Sequence, residues 1–240
     1  MGYVGKKPTA VPLTASDVTD GIISNAKLAQ DVISAETELA VAPATTDEFL
    51  ISDAGTLKRI DYSLIKSDPT HVLLQTQTVT SGVSEVDFTS NIDSTYKIYM
   101  FDLINLHLQN DNVNLYIRFF QGGSVDTGAV YDFGYSRTIS SVGSIGIGNN
   151  GNVTEIQAMD GINANTAVSS LNGRMFLFEP SNTTFHTQLQ FHLSGTRDGE
   201  AQMSTVGSGR IDETVAVDGV RFYTSSGNID SGIFKLYGVN

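Results

Sequence analysis

Cysteine is absent from the 240-residue sequence, which removes disulfide frameworks, thiolate nucleophiles and cysteine-based zinc sites together. Stability must come from packing and association. Positive charge is also scarce: 14 Lys and Arg against 26 Asp and Glu leave a net charge of −12. A surface of that sign repels phosphate and anionic lipid, so nucleic acid is not an expected partner. Long apolar runs are missing too. The strongest, residues 98–108, is broken by Asp102, Asn105 and His107 and falls short of the roughly 20 residues of a membrane span, so no membrane insertion is expected. Residues 1–14 hold two lysines and two prolines without the apolar centre of a signal peptide.

What is present favours strands and turns. Twenty-three glycines, nine tyrosines and twelve phenylalanines, with many Ser, Thr and Asn, suit β structure better than helix. The first 66 residues are short apolar words separated by Pro8, Pro12 and Pro43, too sparse in large side chains for a private core. They are expected to form an extended arm. Within it, residues 20–29 (DGIISNAKLA) are loosely echoed by residues 31–40 (DVISAETELA). Residues 24–39 could form a short helix, interrupted by Val32, Ile33 and Ser34. Residues 48–60 predict a hairpin turning at Asp53-Ala54-Gly55. A lone hairpin is marginal in water and needs a partner.

From residue 67 onward, strand-like runs alternate with turn dipeptides. Candidate strands cover residues 71–79, 85–88, 96–106, 113–120, 129–136, 152–158, 173–178, 186–193, 214–223 and 232–237. Asp160-Gly161, Asn172-Gly173, Asp198-Gly199 and Asp218-Gly219 are expected to be tight turns. Alternation is clean in two runs. Val113, Leu115, Ile117 and Phe119 share one face of their strand, and Phe185, Leu189, Phe191 and Leu193 oppose His186, Gln188, Gln190 and His192 in another. The expected fold is all-β: a jelly-roll-like β-sandwich head over residues 67–240 behind the arm of residues 1–66.

No enzyme constellation emerges. Gly-x-Ser-x-Gly, a phosphate loop and His-Glu-x-x-His are all missing. The Gly-rich stretch of residues 143–148 precedes no helix and reads as a flexible surface loop. Of the four histidines, His186 and His192 would lie about 20 Å apart on one strand, too far to share a metal. A glycan depolymerase would need two carboxylates about 5–9 Å apart. Asp198/Glu200 and Asp212/Glu213 are the available pairs, but both adjoin turn sequence and read as solvated loops. No catalytic residue, metal or cofactor is therefore assigned. Recognition suits the surface better. Tyr131, Phe133, Tyr135 and Arg137 share one strand face and lead towards Asn149 and Asn150, so Tyr131, Tyr135, Arg137, Asn149 and Asn150 are the candidate binding residues. The competing reading places that face in the core or at a trimer interface.

Residues 220–239 (VRFYTSSGNIDSGIFKLYGV) resemble the ending of many phage tail-fibre and other virion head domains, which close on a strand, a Ser/Gly turn and a Leu-Tyr-Gly word. Residues 12–29 and 47–60 resemble anchor segments of fibre-type proteins in marine tailed bacteriophages. The resemblance implies a virion component assembled in the host cytoplasm as a homotrimer. Its arm would hold other virion proteins, and its head could contact a host cell-surface glycan or protein. The same resemblance fits a capsid or neck decoration protein that stabilises the particle.

Overall fold

The computed structural model describes residues 36–66, 69–166, 168–197 and 201–240. Contacts divide the chain into two units, Met1–Ser67 and Asp68–Asn240. Most of the helix expected over residues 24–39, the repeat word of residues 20–29, the first half of its echo over residues 31–40 and the pair Asp198/Glu200 lie outside the described residues.

In the first unit, β1 (Glu48–Asp53) and β2 (Thr56–Asp61) form an antiparallel hairpin, followed by one helical turn, α1 (Tyr62–Ile65). The turn falls at Ala54-Gly55, both at positive φ (49° and 85°), the two-residue geometry whose twist matches a hairpin. Every residue of β1 is exposed, including Leu50 at 74%, and Leu57 on β2 is 70% exposed. The ion pairs Lys58–Asp53 and Arg59–Glu48 are solvent-facing, where such pairs add little. By itself the hairpin buries almost nothing.

The second unit is an antiparallel two-sheet sandwich. Its strands are β3 (His71–Val79), β4 (Glu85–Phe88), β5 (Ile98–Leu108), β6 (Asp111–Gln121), β7 (Ser124–Val125), β8 (Tyr131–Ile139), β9 (Val142–Val153), β10 (Ile156–Asn163), β11 (Leu171–Phe178), β12 (Gln188–Arg197), β13 (Ala201–Ile211), β14 (Gly219–Thr224) and β15 (Ile229–Val239). The larger sheet has eight strands in the order β3-β15-β5-β11-β12-β13-β8-β9, and the smaller runs β10-β6-β14-β4 with β7 beside β6. Most connections cross from one sheet to the other. The all-β sandwich expected from composition is therefore present.

Alternation explains the core. Val113, Leu115, Ile117 and Phe119 of β6 and Leu189, Phe191 and Leu193 of β12 are all buried, as their spacing predicts. Phe185 is not: it precedes β12 and stays 69% exposed. The centre is a ring cluster, with Phe88 and Phe222 from the smaller sheet meeting Phe101 and Phe234 from the larger at centroid distances of 5.3–6.2 Å.

Two departures from the sequence reading have physical causes. Residues 143–148, expected to be a flexible loop, lie within the edge strand β9, and Gly148 lies directly under the Tyr135 ring, where a side chain would overlap it. Asp160-Gly161, expected to be a turn, sits inside β10, where the pairing with β6 shifts register and Gly161 takes φ 61°. Asn172-Gly173 and Gly219 likewise fall within strands, in β11 and β14.

Several carboxylates titrate below their ordinary range. The Asn152 amide and the Arg210 guanidinium, at 3.0 and 2.8 Å, depress Asp132, and bonds from Thr95 depress Asp93. Burial acts to raise Glu155, but bonds from Thr154 and Arg118 outweigh it, so its net shift is downward. Lowered folded-state values stabilise the fold above the unfolded carboxylate pKa of about 4, and that stability is lost as pH falls through the folded values. Asp132→Asn should thus lower the melting temperature at pH 7 and converge on wild type as the pH drops below 4. A gap that stays constant with pH would remove Asp132 from the acid transition.

Candidate functional site

The five sequence-predicted residues do not form one surface. Tyr131, Phe133, Tyr135 and Arg137 do share a face of β8, but it is the face turned into the sandwich. Tyr131 is 0% exposed; its hydroxyl accepts from the Phe119 amide at 3.0 Å and donates to the Asp126 carbonyl at 3.1 Å. Tyr135 is 7% exposed, stacks on Phe133 at 6.2 Å and accepts from Gln157 Nε2 at 2.9 Å. Burial pushes both phenols above the ordinary tyrosine pKa. Arg137 pairs with Asp160, whose carboxylate also lies 3.7 Å from Arg197 Nη1. Charge pairing there outweighs burial and holds Arg137 protonated. These three side chains are structural, so the binding role expected for them is corrected. Asn149 and Asn150 are exposed on β9, opposite Gly134 and Phe133 respectively.

The opposite, solvent-facing side of the eight-stranded sheet is the better site. Cross-strand register lines up Lys235, Asp102, Arg174, His192 and Val206 in one row across β15, β5, β11, β12 and β13. The adjacent row holds Tyr237, Met100, Phe176, Gln190 and Ser208. Met100 is only 3% exposed despite facing outward, flanked by its cross-strand neighbours Tyr237 and Phe176.

A shallow depression of about 610 Å³ opens between Asp102, Ile104, Arg174, Phe176 and His192. A second, of about 410 Å³, adjoins it through Phe176 and His192 and reaches Gln190, Val206 and Ser208. Small outward residues, Ser194 in the first and Ser208 in the second, keep the floor low. A register shift at the start of β11 also shapes it, because Gly173 lets that strand approach β12 so closely that a β-carbon would overlap the His192 carbonyl. The Asn105 amide donates to Asn172 Oδ1 at 2.7 Å across the bulge in β5.

The depression places an exposed arginine beside an aromatic ring and a histidine. Arg174 Nε donates to Asp102 Oδ1 at 2.7 Å, which fixes the guanidinium and raises its pKa, while the arginine side chain stays 53% exposed. An arginine held on one edge is pre-organised to bind an anion or hydroxyl with the other. No family model, curated protein or solved structure matches the chain.

Sequence reasoning placed His192 and Gln190 on a polar strand face but missed Arg174 and Phe176. The apolar run Met175-Phe176-Leu177-Phe178 hides the outward-facing ring. Asp212 and Glu213, the remaining carboxylate pair, are not arranged as two free acids: Asp212 lies 3.1 Å from His186 Nδ1 and 3.2 Å from Arg210. Among the described residues, no three His, Asp or Glu gather as metal ligands.

Proposed function

We propose that the chain is a non-enzymatic, fibre-type structural protein of a bacteriophage virion. Residues 1–66 form the arm that joins other virion proteins, and the sandwich, jelly-roll-like and assembled as a homotrimer, meets the host cell surface. One contrast carries this reading: a sandwich with a complete aromatic core follows a hairpin whose apolar side chains Leu50 and Leu57 are 74% and 70% exposed. Exposed apolar side chains in such a hairpin call for a covering partner. A self-sufficient head leaves the arm free to supply that contact to the particle.

The outward face of the larger sheet supports a role in attachment. Its depressions combine Phe176 with Arg174, His192 and Gln190, the ring-plus-polar-edge chemistry that suits a glycan or a protein loop. The likeness of the arm words and the Leu236-Tyr237-Gly238 ending to fibre-type proteins points the same way.

Labelling particles with an antibody raised against residues 69–240 tests the proposal. Label on projecting fibres is expected. Label spread over the capsid or neck would instead assign a decoration role, and particles that carry none of the protein would overturn the virion reading altogether.

A further inference from the structure

The two sheets treat their edges differently. In the smaller sheet, the edge strand β4 is only four residues long and carries Glu85 and Asp87, while β10 carries Asp160 and three register shifts. Short length, charge and irregularity are the devices that keep an edge from pairing with another chain. The larger sheet lacks the first two: its edge pairings also shift register, once along β3 and twice along β9, but its edges are long and carry almost no charge. Its edge strands β3 and β9 are nine and twelve residues long, contain no proline, and hold His71 as their sole titratable side chain.

Both edges also expose large aliphatic side chains on the same face. Leu73 on β3 is opposite the outward Tyr237 and 52% exposed. Ile147 on β9 is opposite the outward Ser136 and 77% exposed, with Ile145 beside it at 69%. Strand direction completes the match. Eight strands alternating in direction leave β3 and β9 antiparallel, so a copy rotated about an axis along the strands would set its β3 antiparallel to this β9.

We propose that copies of this chain associate head to tail, β9 of one pairing with β3 of the next, so that the larger sheet continues from copy to copy. The partner is identified by charge. With a net charge of −12, two copies repel over most of their surfaces, and these uncharged edges are where they can approach closely. Pairing would satisfy the outward backbone groups of both strands and bring Leu73 towards Ile145 and Ile147. Such a contact is heterologous, using different patches on the two copies, and closes into a ring when the rotation allows.

The absence of native cysteine makes the test direct. In the full-length protein, Leu73→Cys and Ile147→Cys are introduced singly and together, both at exposed positions, and each variant is checked for wild-type circular dichroism. A short bismaleimide cross-linker is then added in dilute solution and the products are run on a denaturing gel. The double variant is expected to shift mostly into a ladder of dimers and larger species, while each single variant stays monomeric. A double variant that remains monomeric overturns the proposal. A dimer from Ile147→Cys alone also overturns it, because β9 would then be meeting its own copy.

Discussion

A chain ending at Ser231 should not fold its sandwich. The deleted residues 232–240 supply most of β15, which lies between β3 and β5 and pairs with both. Phe234 and Leu236 are fully buried, and their removal alone forfeits about 3–6 kcal/mol at about 1.5–3 kcal/mol per side chain. The larger loss is in pairing. Among the described residues β3 has no other strand partner, so its nine residues would lose their ladder at the same time. Total stability of about 5–15 kcal/mol does not survive both. Far-UV circular dichroism should show the β signal collapse and the cooperative melt disappear. A truncated chain melting at the full-length temperature would mean that β15 is dispensable and that the pairing has been misassigned.

How much of this was legible in the sequence depended on whether core positions carried bulk. β6 and β12 were readable because large apolar side chains alternate with polar ones at every second residue. β13 was not recognised, although Ala201, Met203, Thr205, Gly209 and Ile211 occupy its buried face. Small residues stand there because large partners reach across: a β-carbon on Gly209 would lie 2.7 Å from the Ile156 side chain. β9 was hidden for the same reason, with Gly148 making room for Tyr135. Volume is conserved between strands, not within one, so a strand that yields space to its neighbour looks like a loop when read alone.

The candidate site followed a related logic. Sequence periodicity grouped Tyr131, Phe133, Tyr135 and Arg137 correctly and left two readings of their face, binding surface or core and trimer interface; burial of Tyr131 and Tyr135 selects the core. The opposite face of β8, Asp132, Gly134, Ser136 and Thr138, is the more polar of the two, and that difference in bulk was the available signal. Arg174 and Phe176 had no comparable signature. Their importance arises from register, which brings Asp102 from β5, remote in sequence, and His192 from the next strand, β12, to either side of Arg174.

The ring cluster supplies the second large expected effect: Phe222→Ala should cost about 3–5 kcal/mol, the range for emptying a buried phenylalanine site. Phe222 is fully buried on β14 and touches three rings, Phe101 at 5.3 Å, Phe234 at 5.4 Å and Phe88 at 6.2 Å. Those partners come from β5, β15 and β4, so the cavity would open where the two sheets meet and three strands would have to move to fill it. Edge-on geometry adds to the loss, since the Phe88 and Phe101 rings stand at 89° and 70° to it, an arrangement worth about 0.5–1.5 kcal/mol per pair beyond area burial. Phe185→Ala is the matched control. With 69% of that residue exposed, its loss should stay within about 0.5 kcal/mol. Urea denaturation of both variants measures the difference directly: the midpoint should fall sharply for Phe222→Ala with little change in slope. Equal midpoints for the two variants would mean that the sheets are not held together at this cluster, and that their junction is stabilised elsewhere.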